Sequence, residues 1–249
     1  MRALSTCPRH KYKGSSKDVS LSFASYESTQ AEDDDKPPIV ILHGLFGSKN
    51  NWKSLSKAMV NATRRKVYAL DARNHGESPH TQDMDYILMA NDLDLFCKER
   101  GLRKVAVIGH SMGGRTAMTF ALTRPSMVER LVVVDVAPTT MPSTVLDDNI
   151  LAKHIESMEM VLPQLSPDMS SPAARKEAER ILTSFIPEEG VRKFLLSSLQ
   201  KGERLYEWQF NLQGLKRNLA NIITMHDLKG LSYDEDVLFV CGANSPYVR

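Results

Sequence analysis

Val105-Ala106-Val107-Ile108-Gly109-His110-Ser111-Met112-Gly113-Gly114 decides how the rest of the chain is read. Four apolar, mostly β-branched residues make a buried strand, and a Gly-x-Ser-x-Gly turn follows at once. Arg115-Thr116-Ala117-Met118-Thr119-Phe120-Ala121-Leu122 then reads as a helix. A strand, a sharp turn and a helix in that order lift one serine hydroxyl above the end of a parallel sheet, the arrangement called a nucleophile elbow. Gly109 and Gly113 have a steric task in it, because side chains two positions either side of a strained serine would meet strand and helix.

Working outward, Val19–Tyr26, Pro37–His43, Lys66–Leu70 and Arg130–Val136 read as further strands, with helices over Asn51–Ala62 and Tyr86–Arg100. Trp52, Leu55 and Met59 are expected to share one face of the first helix. Near-continuous apolar strands alternating with helices of this length give an α/β fold: a mostly parallel sheet covered on both sides. From about Met141 to Gly230 the spacing is helical throughout, with helices expected over Val145–Leu162, Pro172–Phe185, Glu188–Leu199 and Leu205–Thr224. An insertion of that size between strands suits a helical lid. Val237–Cys241 resumes the sheet. The chain therefore divides into a basic segment 1–18, a core 19–140, a lid 141–230 and a resumed core strand within 231–249.

The 249 residues include 32 basic and 30 acidic side chains, a near balance that offers no groove for nucleic acid. No apolar run reaches the length of a membrane span. Cys7, Cys97 and Cys241 are too few and too far apart for a disulfide framework or a metal site; Cys97 and Cys241 read as small core residues. Residues 1–17 carry Arg2, Arg9, Lys11, Lys13 and Lys17 and no acid. That stretch reads as an organelle transit segment or as a solvated basic tail.

Acyl transfer by serine needs a nucleophile, a base oriented by a carboxylate, and donors for the oxyanion. Ser111 is the expected nucleophile, and the Met112 N–H is one expected oxyanion donor. The second belongs to the loop after His43-Gly44, with Leu45 first and Phe46 as the alternative. Asp135, at the carboxyl end of the strand after the elbow helix, is the expected acid; its bland reading is a cap on the turn into Ala137-Pro138. Gly242-Ala243-Asn244-Ser245-Pro246, the other common place for the acid, holds no carboxylate. The base is the gap. His43 reads as structural, His110 as pointing away from substrate, and His226 as an unorthodox candidate. The expected base lies beyond Arg249, so the chain is expected to be truncated, feebly active and open to association along its last strand. Serine, imidazole and backbone amides need neither metal nor cofactor. Phe185, Phe194, Leu195, Trp208 and Phe210 read as lid packing or as lining for an acyl group.

The motifs His43-Gly44-Leu45-Phe46-Gly47-Ser48, Asp71-Ala72-Arg73-Asn74-His75-Gly76-Glu77-Ser78-Pro79-His80, Gly109–Gly114 and Gly242–Val248 occur together and in order. This set resembles the α/β-hydrolase fold serine hydrolases, and within them a group that includes small bacterial esterases. The resemblance covers Pro37 to Val248 and implies a Ser–Asp–His hydrolase with a helical lid, lacking here the last strand and helix. It implies a small-molecule acyl ester, acylglycerol or other lipid ester, or thioester as substrate, and in animals a mitochondrial address; a cytoplasmic one is the alternative. The group's histidine, in a Gly-His-Trp segment, has no counterpart here. Some members carry a lid Asp after Asn-Leu; here Asn211-Leu212 precedes Gln213. The competing class is a catalytically inactive binding or scaffold protein on the same fold.

Overall fold

Ile39–Leu42 (β2), Val67–Leu70 (β3), Val105–His110 (β4), Val128–Val134 (β5) and Val237–Val240 (β8) run parallel in one sheet, and Phe23–Tyr26 (β1) closes one edge antiparallel to β3. The computed structural model describes residues 18–28, 36–139, 150–245 and 248. Cys7, the basic segment 1–17 and the start of the first lid helix at 145–149 lie outside the described residues.

The strand order is β1-β3-β2-β4-β5-β8. From β2 the chain moves one way to β3, then returns past β2 to β4. The winding reverses between β2 and β4, so the loops leaving their carboxyl ends part and open a crevice there. The loop after Leu42 and the turn at Ser111 lie on either side of that crevice.

Alternation along the strands fills both faces. Ile39, Ile41, Val67, Ala69, Ala106 and Ile108 pack with Val60 of the helix Lys53–Thr63 (α1). Val40, Leu42, Leu70, Val105 and Val107 pack against Leu93 and Phe96 of Tyr86–Glu99 (α2) and Ala117 and Phe120 of Met112–Thr123 (α3). Trp52 and Met59 pack partly buried on the first of these clusters as expected, whereas Leu55 is exposed and Ser56 and Val60 take its place. A 3₁₀ turn over Lys49–Trp52 precedes α1.

The insertion between β5 and β8 contains the helices Ile150–Glu159 (α4), Ser171–Thr183 (α5), Glu189–Leu196 (α6), Leu212–Arg217 (α7) and Leu219–Ile223 (α8). It is not helical throughout. Leu199–Lys201 (β6) and Tyr206–Trp208 (β7) form a small antiparallel hairpin, where helix was expected at both Leu199 and Leu205–Trp208. The insertion shares one apolar cluster with the core: Ile155, Met158, Leu182, Leu195, Trp208 and Phe210 pack with Phe46, Met84, Met89 and Met112. Phe185 and Phe194, by contrast, are exposed. Cys97 is buried, which pushes its thiol up to about 12, but Cys241 is exposed just beyond β8 rather than in a core. Among the described residues no helix is long and apolar enough to cross a membrane.

Candidate active site

Ser111 joins β4 to α3 at φ 52° and ψ −117°. Such a backbone in a residue with a side chain costs of order 1–3 kcal/mol and persists only where the surroundings enforce it. Here they do. The Ser111 N–H donates to the Val134 carbonyl at 2.9 Å, and its own carbonyl accepts from Arg115 N–H at 3.1 Å. A Cβ at Gly109 would overlap the Gly113 carbonyl, and one at Gly113 would overlap the Leu42 carbonyl. Ser111 holds the N-cap position of α3, yet its hydroxyl makes no capping hydrogen bond. The hydroxyl stands at the crevice, and the Met112 N–H lies in the first helical turn, where no earlier helical carbonyl takes it.

The facing loop is equally determined. A Cβ at Gly44 would stand 3.3 Å from Ser111 Cβ and 2.7 Å from His110 Nδ1, so only glycine lets the loop lie against the elbow. Gly47 N–H closes a turn onto the Gly44 carbonyl at 3.0 Å, with Phe46 at φ 64°. The Phe46 N–H donates to His75 Nε2 at 3.3 Å. Leu45 N–H makes no hydrogen bond among the described residues, so of the two loop amides it is the one not already engaged.

His43 and His75 are spacers at this loop. His43 Nε2 accepts from Ala72 N–H at 3.0 Å, which assigns the proton to Nδ1, 2.8 Å from the Gly44 carbonyl. His75 accepts at Nε2 from Phe46 and places its Nδ1–H on the Arg73 carbonyl at 3.0 Å. Burial pushes both rings below the ordinary imidazole range, His75 to about 3. Neither has a nitrogen to spare for Ser111.

The Asp71–Ser78 string supports this loop residue by residue. Asp71 is fully buried; its carboxylate accepts from Lys49 N–H at 2.7 Å and Glu77 N–H at 3.0 Å and pairs with the Lys49 ammonium. The Gly76 backbone, at φ 56°, lies so close that a side chain would enter the Asp71 carboxylate. Arg73 forks onto Asp92 at 2.6 and 2.7 Å. Asn74, at φ 64°, takes Asn211 N–H from the insertion at 2.8 Å. Ser78 Oγ donates to the Asp71 carbonyl at 2.6 Å. These supporting roles were missed in the sequence; the density of buriable polar residues in one short loop was the available signal.

Asp135 stands at the end of β5 at φ 58°, its N–H on the Val240 carbonyl at 2.8 Å. Its carboxylate accepts from Gly242 N–H and from Ser245 Oγ, each at 3.0 Å. Its capping partners are thus the turn after β8, and not the turn into Ala137-Pro138. The charge of Asp135 also reaches His110, opposing the burial that lowers that ring. Among the described residues no imidazole is hydrogen-bonded to Ser111. His226 is exposed, and Gln213 is exposed with its amide donating to Glu159 Oε1 at 2.7 Å.

The geometry thus supplies a strained serine, a glycine-turned loop against it and a carboxylate at the next strand end. Comparison with known proteins agrees with the fold. The sn-1-specific diacylglycerol lipase ABHD11 of Mus musculus is 44% identical over 215 residues, covering 86% of this chain and 67% of that protein. Its namesake in Xenopus laevis is 39% identical over 231 residues, covering 92% and 70%. The solved structure of a marine microorganism esterase superposes with a TM-score of 0.77 at 34% identity, covering 91% of this chain and 82% of that one. The family model described as alpha/beta hydrolase fold matches residues 37–249, and the chain belongs to that family.

Proposed function

We propose that this chain is a serine carboxylic-ester hydrolase acting on acylglycerol or other lipid esters, or on thioesters, through an acyl-enzyme on Ser111. The observation that carries the reading is the elbow: a serine at φ 52° whose hydroxyl is not used as a cap, set against Gly44 at the sheet's switch point. In the step this supports, Ser111 Oγ bonds to the substrate carbonyl carbon and its proton passes to a base. The carbonyl π pair moves onto oxygen, and the Met112 and Leu45 N–H groups receive that charge. Collapse expels the alcohol or thiol with a proton, and water repeats the sequence to free the acid. One oxyanion donor of this kind is worth about 2.7–4 kcal/mol. Asp135 is proposed as the acid that orients the base, which no described histidine supplies. Relatives named as diacylglycerol lipase and esterase favour the ester class and a lipid acyl group.

A second reading, an inactive binding protein on this fold, is favoured by the lack of an imidazole at Ser111 among the described residues. Labelling with an alkyl fluorophosphonate separates the two. With a base histidine present, the hydrolase reading expects a covalent adduct on Ser111 that Ser111→Ala abolishes; an adduct surviving that substitution sinks the Ser111 assignment, and none on the unaltered chain favours the second reading. The basic, acid-free stretch 1–17 supports a mitochondrial address, to be tested by whether residues 1–17 carry a fluorescent reporter into mitochondria.

A further inference from the structure

Arg115 lies one turn beyond Ser111 on α3 and is 1% exposed. No carboxylate answers its charge among the described residues. Its Nη1 donates to the Ile223 carbonyl at 2.9 Å and the Ile222 carbonyl at 3.3 Å, and its Nη2 to the Thr139 carbonyl at 2.7 Å. Its Nε has no partner among the described residues. The guanidinium lies 6.0 Å from the centre of the Tyr86 ring, and the Tyr86 hydroxyl donates to the same Ile222 carbonyl.

The identity of those carbonyls matters. Thr139 stands where the chain leaves β5 for the insertion, and Ile222–Ile223 end α8, the insertion's last helix. One side chain on the nucleophile helix therefore holds both roots of the insertion. A buried cation without a counter-charge is costly, and an apolar side chain of similar length usually serves as well or better where only space must be filled. A planar fork of donors is the group that bridges carbonyls from two separate segments.

We propose that Arg115 is a positioning residue that fixes where the insertion sits over Ser111, and so how much room an acyl chain finds there. The room is bounded by the shared apolar cluster, in which Met112 and Phe46 meet Met158, Leu182 and Phe210. Loosening the roots shifts one wall of that cluster and leaves the elbow intact. The clasp stands on the geometry alone; its effect on acyl length rests on the hydrolase reading.

The test compares the full 249-residue chain with Arg115→Met and Arg115→Lys, using hydrogen exchange read by mass spectrometry and Ser111 labelling by methyl and dodecyl fluorophosphonates. Arg115→Met is expected to raise exchange at least tenfold over 150–158 and 219–225, with β2, β4 and α2 unchanged. Arg115→Lys, which reaches one root but not both, recovers part of the protection. The dodecyl-to-methyl ratio of labelling rates shifts at least fivefold in Arg115→Met and partly returns in Arg115→Lys. Unchanged exchange at both roots, or a rise spread evenly over the core, overturns the clasp. Where Arg115→Met does not fold, Arg115→Lys decides: intermediate exchange at the roots supports it and wild-type exchange overturns it. An unaltered chain that takes up neither probe counts against the hydrolase reading, while exchange still decides the clasp.

Discussion

The sheet has two halves made of the same hydrogen bonds and held in different ways. On the β2–β4 side, Val40, Ile41 and Val107 have no exposure, and the Ser111 turn is wedged between carbonyls on one side and Gly44 on the other. On the β5–β8 side the ladder is as regular, yet Leu238 is 57% and Phe239 46% exposed, and Val132 and Val134 are only half-buried. The Ser111 half is fixed by close packing, whose small tolerances make a strained backbone tolerable. The carboxylate half is fixed by hydrogen bonds at its rim. Ladder bonds alone set register; layers packed on both faces set rigidity.

Substitutions should expose that difference. The largest effect is expected at Ser111: with a base histidine present, Ser111→Ala removes fluorophosphonate labelling altogether, and ester turnover falls by up to about 10⁶-fold. Asp135→Asn is next: with a base histidine present it is expected to lower turnover by about 10⁴-fold by analogy with acids of known triads, with a small shift in melting temperature. A near-wild-type rate in Asp135→Asn would reduce this residue to a cap on the Gly242–Ser245 turn.

Paired glycine substitutions sharpen the contrast without chemistry. Gly113→Ala drives a Cβ into backbone carbonyls and is expected to cost about 3 kcal/mol or more in urea unfolding. Gly242→Ala places its Cβ 3.3 Å from Asp135 Oδ1 and Ser245 Cβ, contacts that a rim turn relaxes, and should change stability by less than about 1 kcal/mol. Equal costs at the two sites would remove the distinction between the halves.

Acid supplies a further test. His75 is neutral in the folded chain down to about pH 3, while the unfolded chain takes up a proton as pH falls through 6.5. The folded state therefore keeps its full stability above that pH and loses it progressively as pH falls from 6.5 towards 3. At pH 5 the loss from this one ring is about 2 kcal/mol, and a His75→Gln variant should show a fall between pH 7 and pH 5 smaller by that amount. The smallest effect belongs to Ser245→Ala, which removes one hydrogen bond to Asp135 and should cost less than about 1 kcal/mol.

The strand–turn–helix around Ser111 was legible because its rules are local. Gly109, Ser111 and Gly113 act within one turn, and the flanking apolar strand and helix announce the context. The insertion was less so. Tyr206-Glu207-Trp208 is too short a strand for alternation to register, and the turn that pairs it, with Gly202 N–H on the Leu205 carbonyl at 2.8 Å, lies in a stretch whose spacing also fits a helix. Leu55 was assigned to the buried face because its spacing from Trp52 and Met59 fits, but the buried stripe runs through Ser56 and Val60 and leaves Leu55 at its edge, exposed. Cys241 was read as core because it follows four apolar residues, but the strand it follows is exposed. Arg115 gave no signal at all, since its partners lie 24, 107 and 108 positions further along the chain.

That separation has a bearing on assembly during synthesis. Phe46 accepts from Ser198 Oγ at 3.2 Å, Asn74 from Asn211 N–H at 2.8 Å, and Met84 N–H donates to Asn218 at 3.1 Å. These contacts close spans of 152 and 134 residues and more than a hundred for Asn74, and loop closure delays such pairings relative to the local strand–helix units. A nascent chain that has emerged through β5 already holds its serine turn between neighbouring strands. The loop opposite gains its last fastenings only when residues 198–218 reach it, so the crevice sets only after most of the insertion has been made.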